Sequence, residues 1–239
     1  MKNPDWLWPN DKRIAVVFNV CLEQWSDGKA PGISPMGNPL PHGVLDTMAI
    51  SWAAYGLKTG IYRILEAFER HGVRSSVMVN AVCAERAPEA VKAVAEGGHE
   101  VLSHSYAMDV IPIYLNEEEE RANIRRTVDL IVRATGKRPT GWISPRGTPS
   151  PRTGRLLAEE GFEWHGDSLN DDLPYFVHFK AGTVVSFSSN MECNDLPLYM
   201  RHGNPPRVML EIFQDWLDYA RKYEQGASRI DPTIHSHVF

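Results

Sequence analysis

Stretches in which apolar residues run together alternate along this chain with stretches in which they recur every three or four positions. Residues 13–21 (RIAVVFNVC) form a nearly continuous apolar run and read as a buried strand, whereas residues 60–71 (GIYRILEAFERH) place Ile, Leu and Phe at helical intervals. The unit then repeats, with a strand at 74–80, a helix at 88–96 started by Pro88, and a strand at 100–105. Residues 116–135 predict a long helix. Asn116 is its N-cap, four glutamates complement the positive end of its dipole, and Gly136 stops it. A short strand at 142–144, a helix at 151–160 closed by Gly161 and a strand at 162–165 continue the rhythm. Strand-like alternation at 183–187, a helix at 206–224 and apolar-polar alternation at 233–239 complete it. Such βα alternation predicts an α/β chain with a mainly parallel sheet, open or closed into a barrel.

Two segments break the pattern. Residues 26–54, rich in Gly, Pro and Met, are too long for a plain connection and read as an inserted loop, either an ordered substrate loop or a mobile lid. Residues 188–204 carry the same ambiguity.

In a parallel α/β fold the C-terminal ends of the strands gather on one face, where ligands bind. That rule selects Asn19, Cys21, Glu23 and Trp25 from the first strand, His104 and Asp109 from the third, and Arg146 from the fourth. Later strand ends offer Asp167, Asn170, Asp171 and Asp172, then His235 and His237. Glu23, crowded by Trp25, is expected to lose hydration and have its pKa raised toward a general-base range; a surface glutamate is the bland alternative. His104 is expected at the rim of the site, against the alternative of a structural histidine. Arg146, between Pro145 and Pro149, sits in a stiff turn suited to holding a guanidinium against a carboxylate or a substrate carbonyl. His235 and His237 alternate and so face one side of their strand, which suits two metal ligands, an acid with its orienting partner, or a merely polar strand face. Trp25, Trp52 and Tyr106 offer an aromatic wall for a flat small ring, although aromatic residues more often fill cores.

Composition narrows the classes. With 239 residues, 43% hydrophobic and 23% charged, the chain has the makings of one globular domain. A net charge of -5, with 25 Lys and Arg scattered along the chain, argues against nucleic acid as a partner. Cys21, Cys83 and Cys193 stand far apart, which indicates neither a disulfide framework nor a zinc ribbon and suits a reducing compartment. The N-terminal residues have no apolar signal core and no long apolar run follows, so a cytoplasmic protein without a membrane partner is expected. The motifs GxSxG, HExxH, GxGxxG and the Walker loop are missing from the sequence.

The stretch YGLKTGIYRILEAFERHGVRSSVMVNAVCAERAPEAVKAVAEGGHEVLSHS, together with LAEEGFEWHGDSLNDDLPY, resembles the NodB-homology polysaccharide deacetylases, most closely their allantoinase-like and cyclic-imide hydrolase branch. The resemblance implies a distorted (β/α) barrel spanning residues 1–239, with its site at the C-terminal ends of the strands. It implies a hydrolase of non-peptide carbon-nitrogen bonds that opens a small cyclic amide, imide or ureide. Glu23, His104, Arg146, His235 and His237 are then the catalytic candidates, with Trp25, Tyr106, Asp171, Asp172 and Asn19 as substrate contacts. The deacetylases bind a divalent metal through adjacent aspartates and the histidines of HSxxH. Here Asn19-Val20-Cys21-Leu22-Glu23 replaces the first motif, and the second keeps only His104, with Met108 in place of its second histidine. No cofactor is therefore expected. A zinc-dependent N-deacetylase using Glu23, His104, His235 and His237 is the alternative, and a non-catalytic ligand-binding relative is a third reading. The sequence stops at HSHVF, where such relatives continue with another helix and strand. A truncated or processed chain, incomplete at the C-terminal end of its barrel, would account for this, with the exposed strand edge covered by another chain and a homo-oligomer expected.

Overall fold

The apolar run at residues 13–21 forms two strands. In the computed structural model, which describes residues 6–30, 40–41 and 43–238, β1 (Ile14–Val16) and β2 (Asn19–Leu22) are separated by a break at Val17 and Phe18. Residues 14–18 are apolar at every position and carry no mark of where the chain changes sheets, which is why one strand was expected there.

From β2 the chain passes through α1 (Thr47–Tyr55), a π-helical turn at Gly56–Gly60 and α2 (Ile61–His71) to β3 (Ser76–Val79). Next come α3 (Ala81–Arg86), α4 (Pro88–Glu96), β4 (Glu100–Ser103), α5 (Glu117–Thr135) and β5 (Gly141–Trp142). Then follow α6 (Thr153–Glu159), β6 (Trp164–His165), β7 (Tyr175–Phe179), β8 (Gly182–Ser186), α7 (Arg207–Tyr223), β9 (Ser228–Ile230) and β10 (Thr233–His235). The main sheet runs β10-β2-β3-β4-β5-β6-β8-β7, parallel throughout except for β7, which pairs antiparallel with β8 as a hairpin. β1 and β9 form a separate parallel pair. The result is the expected α/β architecture, a distorted barrel with helices on its outside.

Alternation along β2 and β3 sorts the side chains. Val20, Leu22, Val77 and Val79 face outward onto Ile61, Ile64 and Phe68 of α2 and Val91 and Val94 of α4. Cys21, Met78 and Leu102 face inward and pack with Ile143 and Trp164. This parity carries Glu23, two residues beyond Cys21, to the top of the barrel interior.

α5 begins as the sequence predicts. Asn116 accepts a hydrogen bond from the Glu119 backbone N–H at 3.0 Å and the Glu119 carboxylate accepts from the Asn116 N–H at 2.9 Å, closing a capping box.

Three expectations change. Of the supposed loop at 26–54, residues 47–54 belong to α1, capped by Asp46, whose carboxylate accepts from Ala49 N–H; residues 31–39 and 42 lie outside the described residues. The last strand stops at His235, and a turn closed by Val238 N–H onto the His235 carbonyl carries His237, so the two histidines do not share a strand. The edge of β10 is covered by the chain itself. Thr233 N–H donates to the Cys193 carbonyl at 2.8 Å and His235 N–H to the Asp195 carboxylate at 2.8 Å. No helix among the described residues is long and apolar enough to cross a membrane.

Candidate active site

At the C-terminal mouth of the barrel, the Glu23 carboxylate lies between two imidazoles. Its Oε1 is 3.5 Å from His104 Nε2 and 3.6 Å from His235 Nε2, and all three side chains are buried. Neighbouring strands bring them together: β10 pairs beside β2 with His235 opposite Cys21, and β4 lies beyond β3. The other nitrogen of each ring is engaged. His104 Nδ1 lies 2.5 Å from the Ile143 carbonyl and His235 Nδ1 lies 2.6 Å from Asp195 Oδ1. A carbonyl oxygen can only accept, so Nδ1 of His104 carries a hydrogen, and Nε2 is the nitrogen turned toward Glu23.

Polar cross-links hold the loops around this centre. Buried Asn80 accepts from the Gln24 N–H at 3.0 Å and donates to the His104 carbonyl, joining the ends of β2 and β4. Met108 N–H donates to the Gln24 carbonyl at 2.9 Å, and Asp109 accepts from Ser26 N–H at 2.8 Å. Ser105, directly after His104, has φ 61° in the left-handed region; its hydroxyl donates to the Val110 carbonyl at 2.7 Å, which helps fix this turn.

His237 completes the cluster from the turn after β10. Its ring meets those of Trp52 and Trp25 edge-on at centroid distances of 4.6 and 5.7 Å and lies 5.6 Å from the His235 ring. Both its nitrogens are buried without a hydrogen-bond partner. The helix beside it approaches very closely. A Cβ on Gly60 would lie 1.8 Å from the Ser236 carbonyl oxygen, so only glycine lets the π-helical turn press against the segment that carries His237.

Electrostatics separate the roles. Burial alone would raise the Glu23 pKa, as expected from its place beside Trp25, but His235, His104 and His237 outweigh it and hold the carboxyl at about 2. Glu23 is thus a fixed anion, and the expected raised value is corrected. His235 is pushed well above its ordinary value: burial opposes its charge, but Cys21, Glu23 and the bond to Asp195 prevail. His237 is pushed down to about 4, chiefly by burial. Asp167, buried and accepting from Ser144 N–H and Oγ at 2.6 and 2.7 Å, is pushed up to about 6, chiefly by burial.

Other expected site residues lie elsewhere. Arg146 is exposed on a left-handed turn with φ 60° beyond β5. The Tyr106 ring is covered by the Arg126 guanidinium at 3.6 Å and its hydroxyl donates to Glu85, so it leaves Trp25 and Trp52 to flank His237 without it. Asn19 opens β2 rather than ending it; with Ser76, Glu100 and Trp164, at the starts of neighbouring strands, it lines a cavity of about 410 Å³ at the opposite end of the barrel from Glu23. Asp171 and Asp172 line a separate cavity of about 880 Å³ with Ser188, Trp216 and Arg229. The residue that sequence reasoning missed is Asp195, in the irregular segment 188–204. Its carboxylate spacing gives no signal, because the contact to His235 spans 40 positions.

The donor set fits a divalent metal. Cys21, Glu23 and His235 place one donor atom each within 4.8 Å of one another, a thiol, carboxylate and imidazole set with the chemistry of a divalent-metal site, and His104 stands outside that set.

Residues 51–165 match the polysaccharide deacetylase family model. The peptidoglycan deacetylase of Helicobacter pylori is 32% identical over 129 residues, which is 54% of this chain and 44% of that protein. The chain spans about half the length of the curated relatives it matches. Among solved structures, PuuE allantoinase superposes with a TM-score of 0.87 at 26% identity, covering 97% of this chain and 80% of the other. The probable polysaccharide deacetylase of Pseudomonas aeruginosa PAO1 gives a TM-score of 0.82 at 27% identity, covering 97% and 81%. Residues 51–165 therefore carry a polysaccharide deacetylase (NodB-homology) domain, and the chain as a whole has the fold of the polysaccharide deacetylase and allantoinase structures.

Proposed function

We propose that the chain hydrolyses carbon-nitrogen bonds and that its substrate is a small cyclic amide, imide or ureide opened at the Glu23 cluster. The observation that carries this reading is the buried Glu23 carboxylate between His104 and His235, with His237 and two indoles beside it. Likeness to PuuE allantoinase over 97% of this chain supports the ring-opening form of the reaction.

The roles follow from the two imidazole environments. His104, whose Nε2 faces the cluster, is assigned the role of accepting a proton from the attacking water. His235, favoured in its charged form by Glu23 and Asp195, donates a proton to the leaving nitrogen. Glu23 compensates that positive charge and steadies both rings. His237, kept neutral by burial, offers an unpartnered ring nitrogen to the substrate beside Trp52 and Trp25.

A second reading, an N-deacetylase that uses a metal, is favoured by the closeness of Cys21, Glu23 and His235 and by the likeness to a peptidoglycan deacetylase. Held by those residues, a divalent ion would supply Lewis acidity toward water and carbonyl oxygen. The two readings part on substrate. Allantoin, hydantoin, succinimide and an N-acetylglucosamine oligomer are to be incubated with the protein, with and without added Zn²⁺. Opening of at least one ring is expected; release of acetate from the oligomer, with all three rings intact, would overturn the ring-opening proposal.

A further inference from the structure

We propose that the cavity at the N-terminal end of the barrel, away from the Glu23 cluster, is a binding site for a small organic ammonium ion, an aliphatic amine or diamine. The inference does not depend on which bond that cluster cleaves.

The alternation that carries Glu23 to the top of the barrel interior places polar residues at its base. Two positions before the inward-facing Cys21, Met78 and Leu102 stand Asn19, Ser76 and Glu100. These three are Cα partners across β2, β3 and β4 and so form one row. With Asp231, from the link between β9 and β10, the row lines a cavity of about 410 Å³. Cys21, Met78 and Leu102, with Ile143 packed on them, form the layer between this cavity and Glu23. A barrel base that had only to be filled would take bulky apolar side chains in place of an amide, a hydroxyl and a carboxylate.

The charge of the cavity has one sign. Glu100, Glu163 and Asp231 line it, and among the described residues no lysine, arginine or histidine does. Glu100 is held at the wall, because Ser76 Oγ donates to its Oε2 at 2.8 Å and Trp164 Nε1 donates to its Oε1 at 3.3 Å. That indole lies against Gly141, where a Cβ would come within 2.3 Å of the ring.

Asp231 adds an independent observation. Its side chain is only 4% exposed, and Oδ2 accepts from Arg229 Nε at 2.9 Å and from the Asn190 N–H at 3.2 Å, with Arg229 Nη2 at 2.8 Å. Its Oδ1 is buried without a hydrogen-bond partner. A buried carboxylate oxygen that accepts nothing is costly, and a donor held in the cavity that Asp231 lines would satisfy it.

The walls select the class of donor. Val17, Val185 and Phe187 also line the cavity and offer a bare metal ion no oxygen ligand, whereas the volume is that of a site for a small molecule. An anion would meet three carboxylates. An alkylammonium ion brings N–H donors for those carboxylates, a positive charge for the faces of Trp164 and Phe187, and an apolar stem for the valines.

The test is calorimetric titration of the full chain with putrescine near neutral pH, beside butanediol, succinate and Ca²⁺ as matched neutral, anionic and inorganic probes. Saturable binding of putrescine is expected, with each of the other three weaker by at least about tenfold. Glu100→Gln, which keeps an acceptor for Trp164, and Asp231→Asn should each weaken putrescine binding by at least about tenfold, the loss of a hydrogen bond to a charged group. Glu23→Gln, at the barrel mouth, and Asp215→Asn, in the wider cavity beside α7, should bind putrescine as the wild type does. Absence of saturable binding, butanediol, succinate or Ca²⁺ binding as tightly as putrescine, or wild-type affinity in Glu100→Gln overturns the inference. Equal losses in Glu23→Gln or Asp215→Asn overturn it as well, since they place the amine elsewhere. If Asp231→Asn does not fold, Glu100→Gln decides. Putrescine binding by a protein that opens no ring would leave this inference standing and remove the proposed function; ring opening without putrescine binding would do the reverse.

Discussion

Glu23 and His237 are both buried within one cluster, yet burial decides the charge of only one of them. At Glu23 the loss of hydration is outweighed by three imidazoles, which hold the carboxyl at about 2; at His237 no bonded partner compensates for it, and the ring is pushed down to about 4. A histidine whose folded pKa lies below its ordinary value of about 6.5 binds a proton more readily in the unfolded chain, so its contribution to stability is complete above pH ~6.5 and is lost as pH falls toward ~4. Urea unfolding of the wild type and of His237→Phe at pH 7 and pH 5 should therefore show a smaller fall in stability for the variant. The difference is expected to be on the order of 1–2 kcal/mol over that interval, part of the shift at ~1.4 kcal/mol per pH unit. Equal pH dependence in the two proteins would show that His237 is not held neutral by its burial. Sequence alone identified Glu23 and His237 from their positions near strand ends, but the sign of the Glu23 shift depends on residues 81 to 214 positions away, and no local pattern carries that information.

Among the elements, those with a local physical signature were legible. α2 follows from its apolar spacing and α5 from Asn116, its glutamates and Gly136, and both form within one or two residues of the expected limits. The division between β1 and β2 and the β7 to β8 hairpin were not legible. The first lies in an unbroken apolar run, and Tyr175–Phe179 follows a polar stretch that reads as loop. Asn80, between β3 and α3, tests how the strand ends are tied. Its amide joins the Gln24 N–H to the His104 carbonyl inside the protein, and Asn80→Ala leaves both without that partner. A loss of about 2–4 kcal/mol is expected in chemical denaturation, from two buried groups at about 1–3 kcal/mol each. A loss below ~0.5 kcal/mol, as for an ordinary surface change, would mean that Asn80 does not tie these strand ends.

For the molecule as a whole, the βα alternation was enough to foresee a mainly parallel sheet, open or closed, because each unit must bury one face of a strand beneath a helix, and the resemblance added the barrel. What it could not show was what covers the edge of β10. The segment 193–195, which resisted assignment, runs beside β10, satisfies two of its backbone donors and delivers Asp195 to His235. The strip that covers the edge of β10 and the carboxylate that holds His235 are thus the same stretch of chain. Asn19, Tyr106 and the pair Asp171 and Asp172, all plausible from position alone, lie away from the centre, while Glu23, His104 and His235 meet there.

The most direct test of that centre is kcat/KM for ring opening of the best cyclic substrate, compared between the wild type and the folded variants Glu23→Gln and His104→Gln. Each should lose about 10²–10⁴-fold, the span expected when a positioned acid-base group is removed. Rates within about threefold of the wild type in both variants, with circular dichroism unchanged, would contradict the account, since removing a group that takes part in the reaction must lower the rate.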